Sequence, residues 1–216
     1  MNRQLMILLV FLSALPLYPG SFSYTSTTED ETTEETWNIE FSDQGFTLYA
    51  GGPDRQVEMD SFSENNGDGI RITYRVSGEN KHITAVRDGT TLVLTGIDEK
   101  GKRINKTVRL KYPWYASYYV LPHFINSDLE QIDFCILEPL RYSIINIRAI
   151  KEQEENLVID GQMVETVKVC ITLPNIAGAL WRSYIWYRKT DGIFVKTEET
   201  RGFPGTPRTY VVIKNQ

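Results

Sequence analysis

Alternation of apolar and polar residues is the feature that most constrains the fold of this chain. The stretch GIRITYRVSG has its apolar side chains at every second position: Ile70, Ile72, Tyr74 and Val76. A period of two residues is typical of a β-strand with one buried and one solvated face. The same period recurs in TTLVLTG, NKTVRLKY, YSIINIRAI and MVETVKVCITL. Strands of this kind favour antiparallel pairing.

Turn signals separate these runs. Asp-Gly pairs, which accept the positive φ angles of tight hairpins, lie at Asp68-Gly69, Asp88-Gly89, Asp160-Gly161 and Asp191-Gly192. Helical spacing is nearly absent, and only short helices are expected, near residues 128–132 and 175–181. We therefore predict an all-β domain of about ten to twelve antiparallel strands, arranged as a strongly curved sheet or an open β-barrel.

The N-terminus has the features of a secretory signal peptide in residues 1–23. Arg3 precedes the apolar run LMILLVFLSALPLY, and the small residues Ser21 and Ser23 fit a signal-peptidase site. The alternative is an uncleaved membrane anchor, but the run contains Pro16 and is shorter than the roughly 20 residues of a spanning helix. The sequence predicts export, with no transmembrane span after signal cleavage.

Residues 24–36 contain the run TSTTEDETTEET, which is composed of threonine, serine and acidic residues. Such a composition cannot bury enough apolar surface to offset the entropy cost of ordering it. We predict a flexible leader at 24–36 and a single β domain at 37–216, a length that suits one domain.

The charge balance argues against nucleic-acid binding. The chain has 28 acidic and 23 basic residues, and its formal net charge is −5. An acidic surface does not attract nucleic acid or anionic headgroups, so no nucleic-acid partner is expected.

Catalytic signatures are also lacking in the sequence. Its two histidines, His82 and His123, are too few for a transition-metal site or a histidine-based hydrolase, and no phosphate-binding loop is present. A pair of carboxylates could serve a glycosidase, but among 28 acidic residues chance pairs are expected. We predict no enzymatic activity, no cofactor and no metal.

Cys135 and Cys170 are the only thiols of the chain. In an exported protein they can form a disulfide, because the compartment is oxidising. The alternative is two separate buried thiols that act as small hydrophobic groups. Period-two counting places Cys170 on the strand face opposite Val169 and Ile171, and both alternatives remain open.

Aromatic residues are concentrated in two stretches, YPWYASYYVLPHF and WRSYIWY. They can form the plain core of a curved sheet, or they can wall an apolar ligand cavity. The candidate ligand-binding residues are Trp114, Tyr115, Tyr118, Tyr119, Trp181 and Trp186. In the cavity interpretation the segment 112–124 folds over the barrel mouth as a lid, and replacing Trp114 with alanine weakens ligand binding more than stability.

The C-terminal stretch YIWYRKTDGIFVKTEETRGFPGTPRTYVVI combines a tryptophan, a turn glycine, the pair Lys196 and Glu198, a second turn and an apolar last strand. In this order it resembles the C-terminal segment of exported bacterial β-domains of domain-of-unknown-function family 3108, whose open barrels are similar to the LolA and LolB lipoprotein carriers. The resemblance implies a periplasmic protein with a half-open barrel, and a lipid ligand by analogy of fold.

The sequence thus predicts a non-enzymatic periplasmic domain that binds an apolar small molecule, a lipid or an acyl chain, in a half-open barrel. The alternative is a ligand-free scaffold that interacts with a protein partner in the cell envelope. A cavity lined by one parity of strand residues favours the first function, and a solidly packed interior favours the second.

Overall fold

The fold is all-β in a computed structural model that describes residues 20–28, 31–42, 44–52, 55–64, 68–77, 79, 81–98, 100–138, 141–175, 178, 181–200 and 208–214. The strands are β1 (Gly20–Thr28), β2 (Glu31–Ser42), β3 (Gly45–Gly52), β4 (Arg55–Ser63), β5 (Gly69–Val76), β6 (His82–Asp88), β7 (Thr91–Ile97), β8 (Arg103–Arg109), β9 (Gln131–Glu138), β10 (Ser143–Ile159), β11 (Gln162–Thr172), β12 (Arg182–Arg188), β13 (Phe194–Thr200) and β14 (Arg208–Lys214). One short helix, α1, spans Pro122–Ile125. Within the described ranges, no helix is long and apolar enough to cross a membrane.

The strands form one antiparallel sheet in the order β8-β7-β6-β5-β4-β3-β2-β1-β14-β13-β12-β11-β10-β9. Each strand pairs with its neighbours in the chain, except that β1 pairs with β14 and that β8 does not pair with β9. The first and last strands therefore lie in the middle of the sheet, and β8 and β9 are its edges. The prediction of an open antiparallel sheet is confirmed, with 14 strands instead of ten to twelve.

Part of this difference lies in the segment predicted as a flexible leader. Residues 24–28 belong to β1 and residues 31–36 to β2, and the two strands pair from Thr28 opposite Glu31 onward. The leader prediction is wrong because threonine is β-branched and suits a strand, and because β1 pairs with β2 on one side and with β14 on the other, while β3 pairs with β2 from Thr36 onward. The side chains of residues 31–34 are exposed, as their polarity requires.

The predicted signal peptide lies mostly outside the described residues. Its last residues, Gly20–Ser23, are part of β1 and lie opposite residues 36–39 of β2. Phe22 packs against the main core. A cut after Ser23 would remove these paired residues, so that position is incompatible with the full length of β1.

The predicted Asp-Gly turns are confirmed at three of four positions. Asp88-Gly89, Asp160-Gly161 and Asp191-Gly192 connect consecutive strands, and their glycines have φ angles of 57°, 80° and 68°. These left-handed values are those that favour glycine. Asp68-Gly69 instead precedes and begins β5, and the carboxylate of Asp68 accepts a hydrogen bond from the backbone N–H of Trp114 at 2.9 Å.

Two of the clusters formed by the inner face of the curved sheet are important for the site. The main core contains side chains of β9 to β13, among them Phe134, Val169, Ile185 and Tyr187. The second core consists of the buried residues Ile72, Ala85, Leu92, Leu94, Trp114 and Cys135. Side chains of β8 and of β9 pack against this second core, so apolar contacts bring the unpaired edges of the sheet together.

Residues 110–121 connect the edge strands, and we call them the crossing segment. The N–H of Cys135 donates to the carbonyl of Pro113 at 2.7 Å, and the N–H of Tyr115 donates to the carbonyl of Cys135 at 2.8 Å, so residues 113–115 extend the sheet beyond β9. Farther along, Val120 forms an isolated bridge with Ile193. The crossing segment is therefore held against the sheet at both ends.

The two thiols are free and buried. Cys135 lies opposite Asn146 of β10 and Cys170 lies opposite Ile150 of the same strand. Four residues of strand span roughly 13 Å, and a disulfide needs Cα atoms within about 7 Å. No disulfide joins the two residues, which leaves the alternative of two separate buried thiols, and burial raises the pKa of each thiol.

Candidate functional site

A cavity of about 440 Å³ lies between β2, β3 and β4 on one side and the crossing segment and β9 on the other. Its volume is within the range of about 300 to 1,000 Å³ that is usual for small-molecule sites. The lining residues are Glu35, Trp37, Leu48, Ala50, Gly51, Val57, Met59, Ala116, Ser117, Tyr118, Tyr119, Ile136 and Leu137. Most of them are apolar, and we call this space the cavity below.

The pairing register of three strands builds the floor of the cavity. Trp37 lies opposite Ala50, and Ala50 lies opposite Val57 on the next strand. Leu48 and Met59 form the next opposed pair. Because side chains two residues apart share a sheet face, these groups all point to the same side, and the small side chain of Ala50 leaves room between its larger neighbours.

Polar groups lie near Trp37. Its indole N–H donates to Oε2 of Glu35 at 3.3 Å. The hydroxyl of Tyr119 donates to Oε1 of Glu199 at 2.6 Å and accepts from the hydroxyl of Tyr118 at 3.3 Å. Burial, with the nearby Tyr118 and Glu199, holds the pKa of Tyr119 well above its usual range, so Tyr119 is a neutral donor at neutral pH.

Aromatic contacts fix this wall in place. The rings of Trp37 and Tyr119 meet edge to face at 5.4 Å, and both contact Phe194 at 5.1 Å. Tyr24 stacks on Phe194 at 4.4 Å and meets Trp37 edge to face at 5.6 Å, and its hydroxyl donates to the carbonyl of Phe194 at 3.2 Å. These ring contacts pack Trp37 and Tyr119 against Phe194 where the cavity wall meets the polar groups.

The structure brings only part of the predicted ligand site together. Tyr118 and Tyr119 line the cavity. Trp114 is fully buried in the second core, and the ring of Tyr115 stacks on Phe134 of the main core at 5.0 Å. Residues 116–119 of the crossing segment line the cavity, whereas Trp114 is packed into the second core.

Trp186 lies on the outer face of the sheet, away from the cavity. Its indole N–H donates to Glu155 at 2.6 Å, and the ammonium groups of Lys196 and Lys168 lie 4.3 and 5.3 Å from its ring centroid. The hydrogen bond from Trp186 lowers the pKa of Glu155. Trp181 packs against the main core. The strand β12 is covered on both faces, as its sequence indicates, but lysine side chains form the outer cover.

Sequence reasoning missed the floor of the cavity. Trp37 directly follows the predicted leader, and Leu48, Ala50, Val57 and Met59 flank a glycine-rich loop. The signal was present as period-two spacing within β3 and β4, but these runs are short. Among the described residues, no group of three or more His, Cys, Asp or Glu could hold a metal ion.

Comparisons with known proteins show the fold and not the family. No family model matches the chain, and no curated protein sequence matches it. A β-barrel-like protein of domain-of-unknown-function family DUF1849 from Brucella abortus superposes with a TM-score of 0.61 at 9% identity, over 93% of this chain and 99% of that chain. The hypothetical lipoprotein YmcC of Escherichia coli K12 is more distant, with a TM-score of 0.36 at 10% identity over 99% and 98% of the two chains.

The barrel-like architecture is thus shared with a bacterial protein domain of unknown function. At 9% identity the likeness concerns the course of the backbone and carries no site residues. The resemblance to family 3108 and to the LolA and LolB carriers is not confirmed, because no family model matches.

Proposed function

We propose that the chain is a non-enzymatic binding domain of the bacterial cell envelope that holds an apolar ligand, such as an acyl chain, in the cavity beneath the crossing segment. The observation that carries this proposal is the cavity itself, with its volume of about 440 Å³ and its largely apolar lining. The signal-like N-terminus supports the compartment.

The energetics of the lining favour an apolar chain. Each methylene that leaves water for an apolar surface contributes about 0.8 kcal/mol. An acyl chain in the cavity would make such contacts with Leu48, Val57 and Met59 of the floor. It would also contact Leu137 of β9 on the opposite side. The floor consists of hydrogen-bonded strands, so it is ordered before any ligand arrives and the ordering cost of binding is low.

Only a short piece of backbone covers the cavity. The crossing segment is fixed by the bridges of Trp114 to Cys135 and of Val120 to Ile193. Between these points the residues 116–119 cover the cavity, and the hydroxyl of Tyr187 donates to the carbonyl of Tyr118. Local opening of four residues costs much less than breaking the sheet.

The experiment is binding of the neutral fluorescent probe N-phenyl-1-naphthylamine to the native protein, followed by displacement with long-chain lipids. We expect saturable enhancement of fluorescence and full displacement. Val158 and Met163 lie opposite each other and are each 73% exposed, so they could bind a probe nonspecifically. The variant Val158→Thr with Met163→Gln removes this patch, and we expect it to bind the probe as the unmodified protein does.

A folded protein that neither binds the probe nor carries a lipid in native mass spectrometry would favour the scaffold function instead. Loss of binding in the Val158→Thr, Met163→Gln variant would assign the probe to the outer surface and would also count against the cavity.

A further inference from the structure

Packed side chains bound the cavity on three sides. On one side Leu48 belongs to a cluster of buried residues with Ile39 and Val120. On another side Met59 and Leu137 pack against the second core. The aromatic rings of the cavity wall lie on the third side. A hydrocarbon chain in the cavity therefore cannot extend farther into the interior in these directions, because the interior is already close-packed.

The volume of the cavity sets the number of carbon atoms that it holds. A dry apolar cavity of about 150 Å³ takes up one benzene molecule, which corresponds to about 25 Å³ for each carbon atom. At the same density, the volume of about 440 Å³ holds about 18 carbon atoms. This is the size of one long hydrocarbon chain.

An intact membrane phospholipid has too many carbon atoms for this space. Each of its two chains spans half of a hydrocarbon core that is about 30 Å thick, and the two chains together have roughly 32 carbon atoms. Nearly half of them would stay outside the cavity in water, and each exposed methylene costs as much as a buried methylene gains. A lipid with one chain leaves no such remainder.

We infer that the cavity is a site for lipids with a single hydrocarbon chain of up to about 18 carbon atoms, and not for intact two-chain phospholipids. This inference rests on the proposed function, because it concerns the ligand of the same cavity. It goes further because it assigns the number of chains and the chain length that the site accepts.

The chain length is tested with a series of lysophosphatidylcholines, from the decanoyl to the docosanoyl compound, each below its micelle concentration. Their affinities are measured by displacement of N-phenyl-1-naphthylamine from the full chain. Each added methylene should tighten binding about fourfold while the chain still has room in the cavity. Beyond about 18 carbon atoms the affinity should stay constant, because further methylenes remain in water.

Two substitutions in the floor should move this limit in opposite directions. Ala50→Leu adds about three carbon atoms to the lining and should lower the limit by that number, whereas Val57→Ala removes about two and should raise it. Tyr49→Leu is the matched control, since Tyr49 precedes Ala50 and its side chain, which is 41% exposed, lies on the other face of β3. It should leave the limit unchanged.

The number of chains is tested with vesicles of palmitoyl-oleoyl phosphatidylcholine that contain a minor fraction of palmitoyl lysophosphatidylcholine. After the vesicles are removed, native mass spectrometry should show the protein with the added mass of one lysophospholipid. The added mass of an intact phospholipid, or an affinity that keeps rising well beyond about 18 carbon atoms, overturns this inference and leaves the proposed function standing.

A limit that neither Ala50→Leu nor Val57→Ala moves would show that the chain binds outside the cavity, and it overturns both the inference and the proposed function. If no lysophosphatidylcholine displaces the probe from the folded protein and no lipid mass is found, the proposed function is overturned and the inference falls with it.

Discussion

The backbone N–H of Gly69 donates to the carbonyl oxygen of Trp114 at 2.5 Å, and the indole of Trp114 lies against the same glycine. A Cβ atom at residue 69 would be 2.9 Å from that oxygen and 2.9 Å from Cε3 of the ring. Trp114 also forms a bridge with Cys135 of β9. One contact therefore joins β5 to the crossing segment and, through it, to the far edge of the sheet.

Gly69→Ala is expected to destabilise the domain by about 1 to 3 kcal/mol, since the added methyl group has to displace backbone as well as a buried ring. Urea unfolding followed by circular dichroism measures the loss. The control is Ile70→Ala at the next residue, where the side chain is 44% exposed and a change of about 0.5 kcal/mol is expected. Equal midpoints for Gly69→Ala and the unmodified protein would show that the contact is not tight.

Trp114→Ala is expected to lower the free energy of unfolding by about 3 to 5 kcal/mol, because it removes a fully buried indole from the second core. Probe affinity of the protein that stays folded should change little, since Trp114 does not line the cavity. This is the reverse of the effect that the sequence suggested. Weaker binding at unchanged stability, measured by titration and thermal unfolding, would restore Trp114 as a ligand-binding residue.

The sequence predicted the fold well because its signals are local. Alternation in β5 and β11 depends only on which face of a strand is covered, and an Asp-Gly pair such as Asp160-Gly161 turns the chain through its own φ angles. The leader prediction is wrong because low apolar content does not prevent strand formation where the backbone pairs with other strands, as β1 pairs with β2 and with the distant β14.

The site could be predicted only in part, because a cavity is a property of packing between distant elements. Tyr118 and Trp114 have similar sequence surroundings, yet one lines the cavity and the other fills the second core. Their difference depends on Gly69 and Cys135, which contact Trp114 from β5 and β9. No period or motif within residues 110–121 contains that information.

Alkaline pH should unfold the domain through its buried tyrosines. Burial raises the pKa of Tyr119 and of Tyr187 well above the usual value of about 10. A raised folded-state pKa contributes stability that is complete below the unfolded pKa and is lost as pH rises above it. Tyrosine ionisation is followed by absorbance at 295 nm and the β-sheet by circular dichroism, both as pH is raised. A fraction of the tyrosines should ionise only at the pH values where the circular dichroism of the β-sheet is lost. Ionisation of every tyrosine while the fold persists would contradict this.

The edge strand β8 should resist pairing with other chains because it is basic. Arg103 and Arg109 are exposed in β8, and charged edges disfavour strand addition. The double variant Arg103→Thr, Arg109→Thr is expected to form oligomers at concentrations where the unmodified protein is monodisperse by light scattering. Lys100→Thr with Lys102→Thr, in the preceding turn, removes the same charge and should not. Oligomers in both variants would indicate net charge, and not the edge, as the cause.

Ala50→Leu is the substitution that separates an open cavity from a packed core. Ala50 lies on the floor between Trp37 and Val57, and a leucine there would extend into the cavity. Ala85 is the matched control: it is also an alanine on a strand, but it is fully buried in the second core. A leucine at that position has no free volume, so Ala85→Leu should destabilise the domain by about 1 to 3 kcal/mol.

Ala50→Leu should leave the free energy of unfolding unchanged or raise it, because the added methyl groups fill existing space and gain apolar contacts. It should weaken probe binding about tenfold, since the same space is no longer free for the ligand. Thermal unfolding and probe titration are measured for both variants. If Ala50→Leu destabilises the domain as much as Ala85→Leu does, the floor is solidly packed, and a protein with no ligand space has to act through its surface.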